Sequence, residues 1–186
     1  VLMHSGDLKP GRLLMNIGKL MGLKGNPIDF AGKIMGAYAY GNIDKKYLDG
    51  KLAKFQENKD FGTIDNSIIR KNTPRNMENQ SFIDALATQH HLIGELEFRI
   101  ITEFVDKDAV ISYSGGVAQN TVWNEELISN FRNMHIIPHA YDGGLSLGCL
   151  EFARIMYDLN QMHFDNFPYV QDDEELSVPS EATMDE

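Results

Sequence analysis

Apolar positions recur at helical spacing through much of the chain. Leu13, Leu14, Ile17, Leu20 and Met21 predict a helix over residues 10–24, with Pro10 where a helix can begin. Gly18 and Gly22 weaken it, and Gly25-Asn26-Pro27 breaks the chain. A short helix is expected over 28–35, a turn at the end of 36–42, and a small helix over 47–57. Residues 58–78 are polar and turn-rich and predict a surface excursion. The longest periodic stretch is 80–105. There Phe82, Leu86, Ile93, Leu96, Ile100 and Phe104 form one face of a helix roughly 38 Å long.

The period changes after Asp106-Lys107-Asp108. Residues 109–113 predict a short buried strand, and Ser114-Gly115-Gly116 a turn. A helix carrying Trp123, Leu127 and Phe131 on one face follows. Residues 134–137 predict a second strand and 138–144 a loop. Leu145, Cys149, Phe152, Met156 and Leu159 predict a final helical face. Strand, loop, helix, strand, loop, helix is an α/β unit with parallel strands. There is no internal repeat.

Charge divides the 186 residues into zones. The formal net charge is −10, which argues against a nucleic-acid sleeve or a membrane-surface binder. Residues 165–186 hold eight acids and no base, so residues 1–164 carry only −2. Within them, 1–75 sum to +6 and 76–164 to −8. The 165–186 tail predicts a linker. No run of about 18 apolar residues predicts a membrane span. Cys149 is the single cysteine, so no intrachain disulfide can form; a cytoplasmic, reducing location is expected.

Three segments could carry chemistry. Ser114 to Asn120 joins a strand to a helix, and its paired glycines would let a phosphate approach Gly115, Gly116, Val117 and Asn120. The alternative is a tight turn that needs a positive φ. Tyr141-Asp142-Gly143-Gly144 lies at the same carboxyl edge of the sheet. Asp142 there is a metal ligand, a residue orienting a nucleophile, or a helix N-cap, the favoured role. Gly32 to Gly41 places Lys33 near aromatics, either meeting a phosphate or simply exposed at a helix end. His135 and His139 would stand about 13 Å apart along a strand, too far for a metal pair. His90 and His91 are expected as surface or half-buried residues, and Cys149 is expected as a buried, inert thiol.

These segments, in this order, resemble the O-carbamoyltransferase family of nodulation and antibiotic-tailoring enzymes. Its domain is of the sugar-kinase, Hsp70 and actin type and is similar to that of the enzymes making threonylcarbamoyl-adenosine in tRNA. The family's GKxMGLAxYG is matched by Gly32 to Gly41, its GGVALN by Gly115 to Asn120, and its GDAGxALG by Tyr141 to Gly148. Gly11-Arg12-Leu13-Leu14 resembles the stretch upstream, and the resemblance covers about residues 8–160. The departures are Ala37 and Gln119 for Leu, Tyr141 for Gly, and Gly143 for Ala.

The resemblance implies a helix-rich α/β chain with short parallel strands, part of an actin-like ATPase domain. Residues 1–164 would be the later portion of the transfer domain. Residues 165–186 would be the linker towards an adenylating domain that lies outside this chain. The implied reaction passes a carbamoyl group from ATP-derived carbamoyl-adenylate to the hydroxyl of a small-molecule acceptor. The implied cofactor is iron or another divalent metal, held by Asp142 and by an HxxxH pair expected upstream of residue 1. A single carboxylate predicts weak metal binding and no turnover for the chain alone. The rival expectations are a non-catalytic nucleotide-binding or scaffolding lobe that needs a partner chain, and a tRNA threonylcarbamoyl transferase-like enzyme.

Overall fold

The computed structural model describes residues 8–58, 65–137 and 139–160. The order is five helices, a strand, a helix, a strand and a helix. Helix α1 spans Pro10–Leu20 and buries Leu14 and Ile17. It stops four residues short of the sequence expectation because a Schellman motif closes it. Gly22 N–H donates to the Lys19 carbonyl and Leu23 N–H to the Gly18 carbonyl, with Gly22 at φ +73°. Helix α2, Phe30–Ala37, packs against α1, passes the expected end at residue 35 and runs on as a 3-10 turn through Tyr40. Helix α3 covers Lys45–Asn58.

The expected surface excursion at 58–78 is corrected in part. Its described portion contains a one-turn helix, α4, Ser67–Lys71, and Ile69 is 0% exposed. The Ile68-Ile69 pair was too short a signal to show a period. Asn66 Nδ2 donates to the Leu13 carbonyl, tying α4 to α1. Residues 59–64 lie outside the described part.

Helix α5, Gln80–Phe104, is the axis of the molecule. Helices α2, α3, α4 and α6 all pack on it. Phe82, Leu86, Ile93 and Leu96 are buried as their spacing predicts, while Phe104 at the end is exposed. The core gathers these with Ile17, Ile34, Leu52, Phe55 and Ile69. Burying one such side chain stabilises by about 1.5–3 kcal/mol, which is why the helical part holds together without a sheet beneath it.

Strands β1, Ile111–Tyr113, and β2, Met134–Ile136, pair in parallel, with Ile111 opposite Met134 and Tyr113 opposite Ile136. Helix α6, Thr121–Asn130, connects them and buries Trp123 and Leu127, with Phe131 buried at its end. The chain is therefore a helix-rich α/β structure with a short parallel sheet. The expectation of a buried first strand is corrected. Val110 is 78% exposed and Ser112 is exposed, because the sheet has two strands and each face is covered incompletely.

Helix α7, Leu145–Met156, has the expected period, yet none of its residues is buried. Cys149 is exposed, which corrects the expected buried thiol. No described element covers that helix face. Among the described residues, no helix is long and apolar enough to cross a membrane. The 165–186 tail lies outside the described residues.

Candidate functional site

The loop after β1 turns sharply. Gly115 has φ +105° and ψ 169°, a region open essentially to glycine. Its N–H donates to the Ala140 carbonyl, which joins this loop to the segment after β2. A 3-10 turn, Gly116–Gln119, follows before α6 begins at Thr121. The positive φ that the tight-turn alternative requires is therefore present, at Gly115.

Two hollows flank this loop. On one side is an apolar cavity of about 210 Å³ between α1, α2 and the start of α6, lined by Leu14, Gly32, Met35, Gly116, Val117 and Trp123 among others. Asn120 also reaches it. Its volume is below the roughly 300–1,000 Å³ of sites for whole drug-sized ligands. It fits one flat ring system rather than an entire nucleotide. On the other side is a wider hollow of about 490 Å³, lined by Ser114, Gly115, His139, Asp142, Cys149 and Phe152 among others.

The structure thus brings Gly116, Val117 and Asn120 to one cavity and puts Gly115 and Asp142 in the neighbouring hollow. Lys33 is exposed on α2 beside Gly32 and does not line either hollow. Asp142 is exposed at the start of a 3-10 turn, Asp142–Gly144, and its side chain makes no cap hydrogen bond to α7, whose N-cap is Gly144. The favoured N-cap role is corrected: Asp142 sits three residues before α7, and its backbone carbonyl, not its carboxylate, accepts the Leu145 N–H.

Asn120 is committed to the fold. Its Oδ1 accepts the Trp123 N–H at 3.3 Å and caps α6, while its Nδ2 lies 3.0 Å from His90 Nε2. It shapes the cavity wall, with both side-chain groups already bonded. His90, expected as a surface or half-buried residue, is 0% exposed, which corrects that expectation. Its ring stacks on Tyr38 with centroids 4.4 Å apart and lies 4.7 Å from the Trp123 ring. Burial, with a smaller contribution from His91, lowers its pKa to about 4. Adjacency to His91 hid this residue in the sequence; the signal was its place one turn from Leu86 and Ile93 on the buried face of α5.

A second buried polar pair joins α5 to the sheet. The Tyr113 hydroxyl donates to Glu97. Burial raises the Glu97 pKa, against the lowering effect of the Tyr113 hydrogen bond. Burial first, then the Glu97 charge, raises that of Tyr113. At the other end of α5, Asp84 accepts from the Asn42 N–H, the Asn42 amide and Gln80, and these bonds hold its carboxyl below the usual range. They anchor the end of the Gly32–Gly41 segment.

Among the described residues, no group of three or more His, Cys, Asp or Glu side chains is placed to hold an ion. One exposed carboxylate falls short of the three or more protein ligands usual for iron or zinc. Comparison with known protein families, curated proteins and solved structures finds no match.

Proposed function

We propose that this chain is the later part of an O-carbamoyltransferase-type transfer domain with an actin-like core, and that it binds an adenylate across the Gly115-Gly116 loop. One observation carries this reading: the three resembling segments meet at that loop. Gly116 lines the apolar cavity with Gly32 and Met35, and Gly115 lines the adjoining hollow with Asp142. The base would enter the cavity against Leu14, Met35 and Val117. The phosphate would lie over the paired glycines, where no side chain obstructs the backbone. The carbamoyl end would extend towards Asp142. Transfer then has a simple balance. The acceptor oxygen attacks the carbamoyl carbon, the bond from that carbon to the phosphate oxygen breaks, AMP leaves, and the hydroxyl proton passes to a base. What these residues supply is orientation of the electrophile.

Calorimetric titration of the 186-residue chain with AMP tests the reading. One equivalent is expected to bind, and Met35→Trp, which fills the cavity, is expected to abolish binding while leaving the far-ultraviolet circular dichroism unchanged. Absence of binding by the parent chain at about 1 mM AMP, a free energy near −4 kcal/mol, would sink it. The exposed face of α7 favours a second reading, a nucleotide-binding lobe that acts only with a partner chain. Transfer activity without any added chain would exclude that second reading.

A further inference from the structure

His90 stands where the two segments that wall the apolar cavity are joined. From the α2 side, Tyr38 stacks on its ring; from the α6 side, Trp123 lies against it and Asn120 is hydrogen-bonded to it. The neighbouring groups fix the direction of that hydrogen bond. Asn120 Oδ1 is used in accepting the Trp123 N–H, so Nδ2 is the group that faces His90. An amide nitrogen donates and cannot accept. His90 Nε2 must therefore accept, which requires a neutral ring with its proton on Nδ1. His90 Nδ1 is buried without a partner. An unpaired buried donor is costly, so packing alone is better served by an apolar side chain.

We propose that His90 is the positioning residue of the apolar cavity: as the neutral Nδ1–H tautomer it fixes Asn120, and through Asn120 it sets the Gly116–Asn120 wall against α2. The titratable groups beside it are Tyr38, on the turn after α2, and His91, next along α5. Asn120 and Trp123 of the α6 side carry no charge. Protonation of Nε2 would turn an acceptor into a donor facing another donor. The wall would then lose its fixed point. That an adenylate occupies the cavity rests on the function proposed above; the tautomer and the wall do not.

Nitrogen-15 spectra of histidine-labelled chain read the tautomer directly. One histidine is expected to show a protonated Nδ1 and a bare Nε2, unchanged from about pH 8 to about pH 5, across the range where an ordinary histidine titrates. His90→Leu and His90→Gln complete the test, because a Gln carbonyl can still accept from Asn120. The amide resonances of Gly116 to Asn120 should move in His90→Leu and return towards the parent positions in His90→Gln. AMP affinity should fall about five- to tenfold in His90→Leu, the loss of one hydrogen bond, and recover in His90→Gln. An Nε2–H tautomer, ordinary titration of His90, or unmoved wall resonances and unchanged affinity in a folded His90→Leu would overturn the proposal. If AMP binds none of the three proteins, the nucleotide reading fails, and the tautomer and wall resonances decide the positioning role alone. If His90→Leu does not fold, the parent tautomer and the His90→Gln resonances decide it.

Discussion

At residue scale the buried histidine links protonation to folding. Its pKa is lowered to about 4 in the folded chain, against 6.5 for the ordinary group. The unfolded chain therefore binds more protons between these values. Stability from this group is complete above about pH 6.5 and is lost as pH falls towards 4, an amount of about 3 kcal/mol. Urea midpoints are expected to drop over this window, and His90→Gln should flatten the drop. Gly115 is a second residue-scale case. Gly115→Val forces a β-branched residue to φ +105° and is expected to cost about 1–3 kcal/mol in chemical denaturation. The sequence offered a positive-φ turn in the Gly115-Gly116 pair only as one of two readings, because glycines between a strand and a helix suit either a tight turn or a close approach of a ligand; it did not say which glycine turns. It could not indicate His90, because burial on a helix depends on what packs over it, and the covering rings of Tyr38 and Trp123 come from distant segments.

At the scale of elements, α5 decides the arrangement. Its 25 residues were evident from spacing, because one long apolar face leaves a clear period. Its partners were not, since periodicity gives a face but not its neighbour. Gly94 shows how α6 is seated. A Cβ built there would come within 2.5 Å of the Trp123 ring. Gly94→Ala gains about 1 kcal/mol of helix propensity, yet the overpacking it causes costs about 1–3 kcal/mol. A net loss of thermal stability, with the indole displaced, is the expected result, read by calorimetry and near-ultraviolet dichroism. Helix α4 was the element the sequence hid: its five residues are fewer than a helical pattern needs to repeat, whereas the two three-residue strands showed as apolar runs bounded by turn residues.

For the whole molecule, the two ends differ in how they are built. The helices through α6 enclose a core, whereas α7 leaves Leu145, Phe152, Ile155 and Met156 about two-thirds exposed. Parallel strands are usually covered on both faces, and an open pair with an uncovered helix exposes apolar area. The chain is expected to self-associate as its concentration rises. Light scattering should show this, and the double variant Phe152→Glu with Ile155→Glu should remain monomeric with its far-ultraviolet spectrum intact. If the parent chain stays monomeric at about 1 mM, well above the concentration of a weak pair, that expectation is wrong. The amphipathic period of α7 was evident in the sequence; whether anything lies over it is a property of the assembled molecule.

Trp123 is the chain's one tryptophan. It lines the apolar cavity, rests against Gly94 of α5 and sits beside the His90 imidazole. The protein therefore carries a built-in optical probe at the junction of its long helix, its α/β unit and its candidate ligand cavity. The indole emission of the unlabelled chain reports on this one place, so cavity filling, loosening of α6 and a change in the neighbouring ring can be followed by ordinary fluorescence, without a dye.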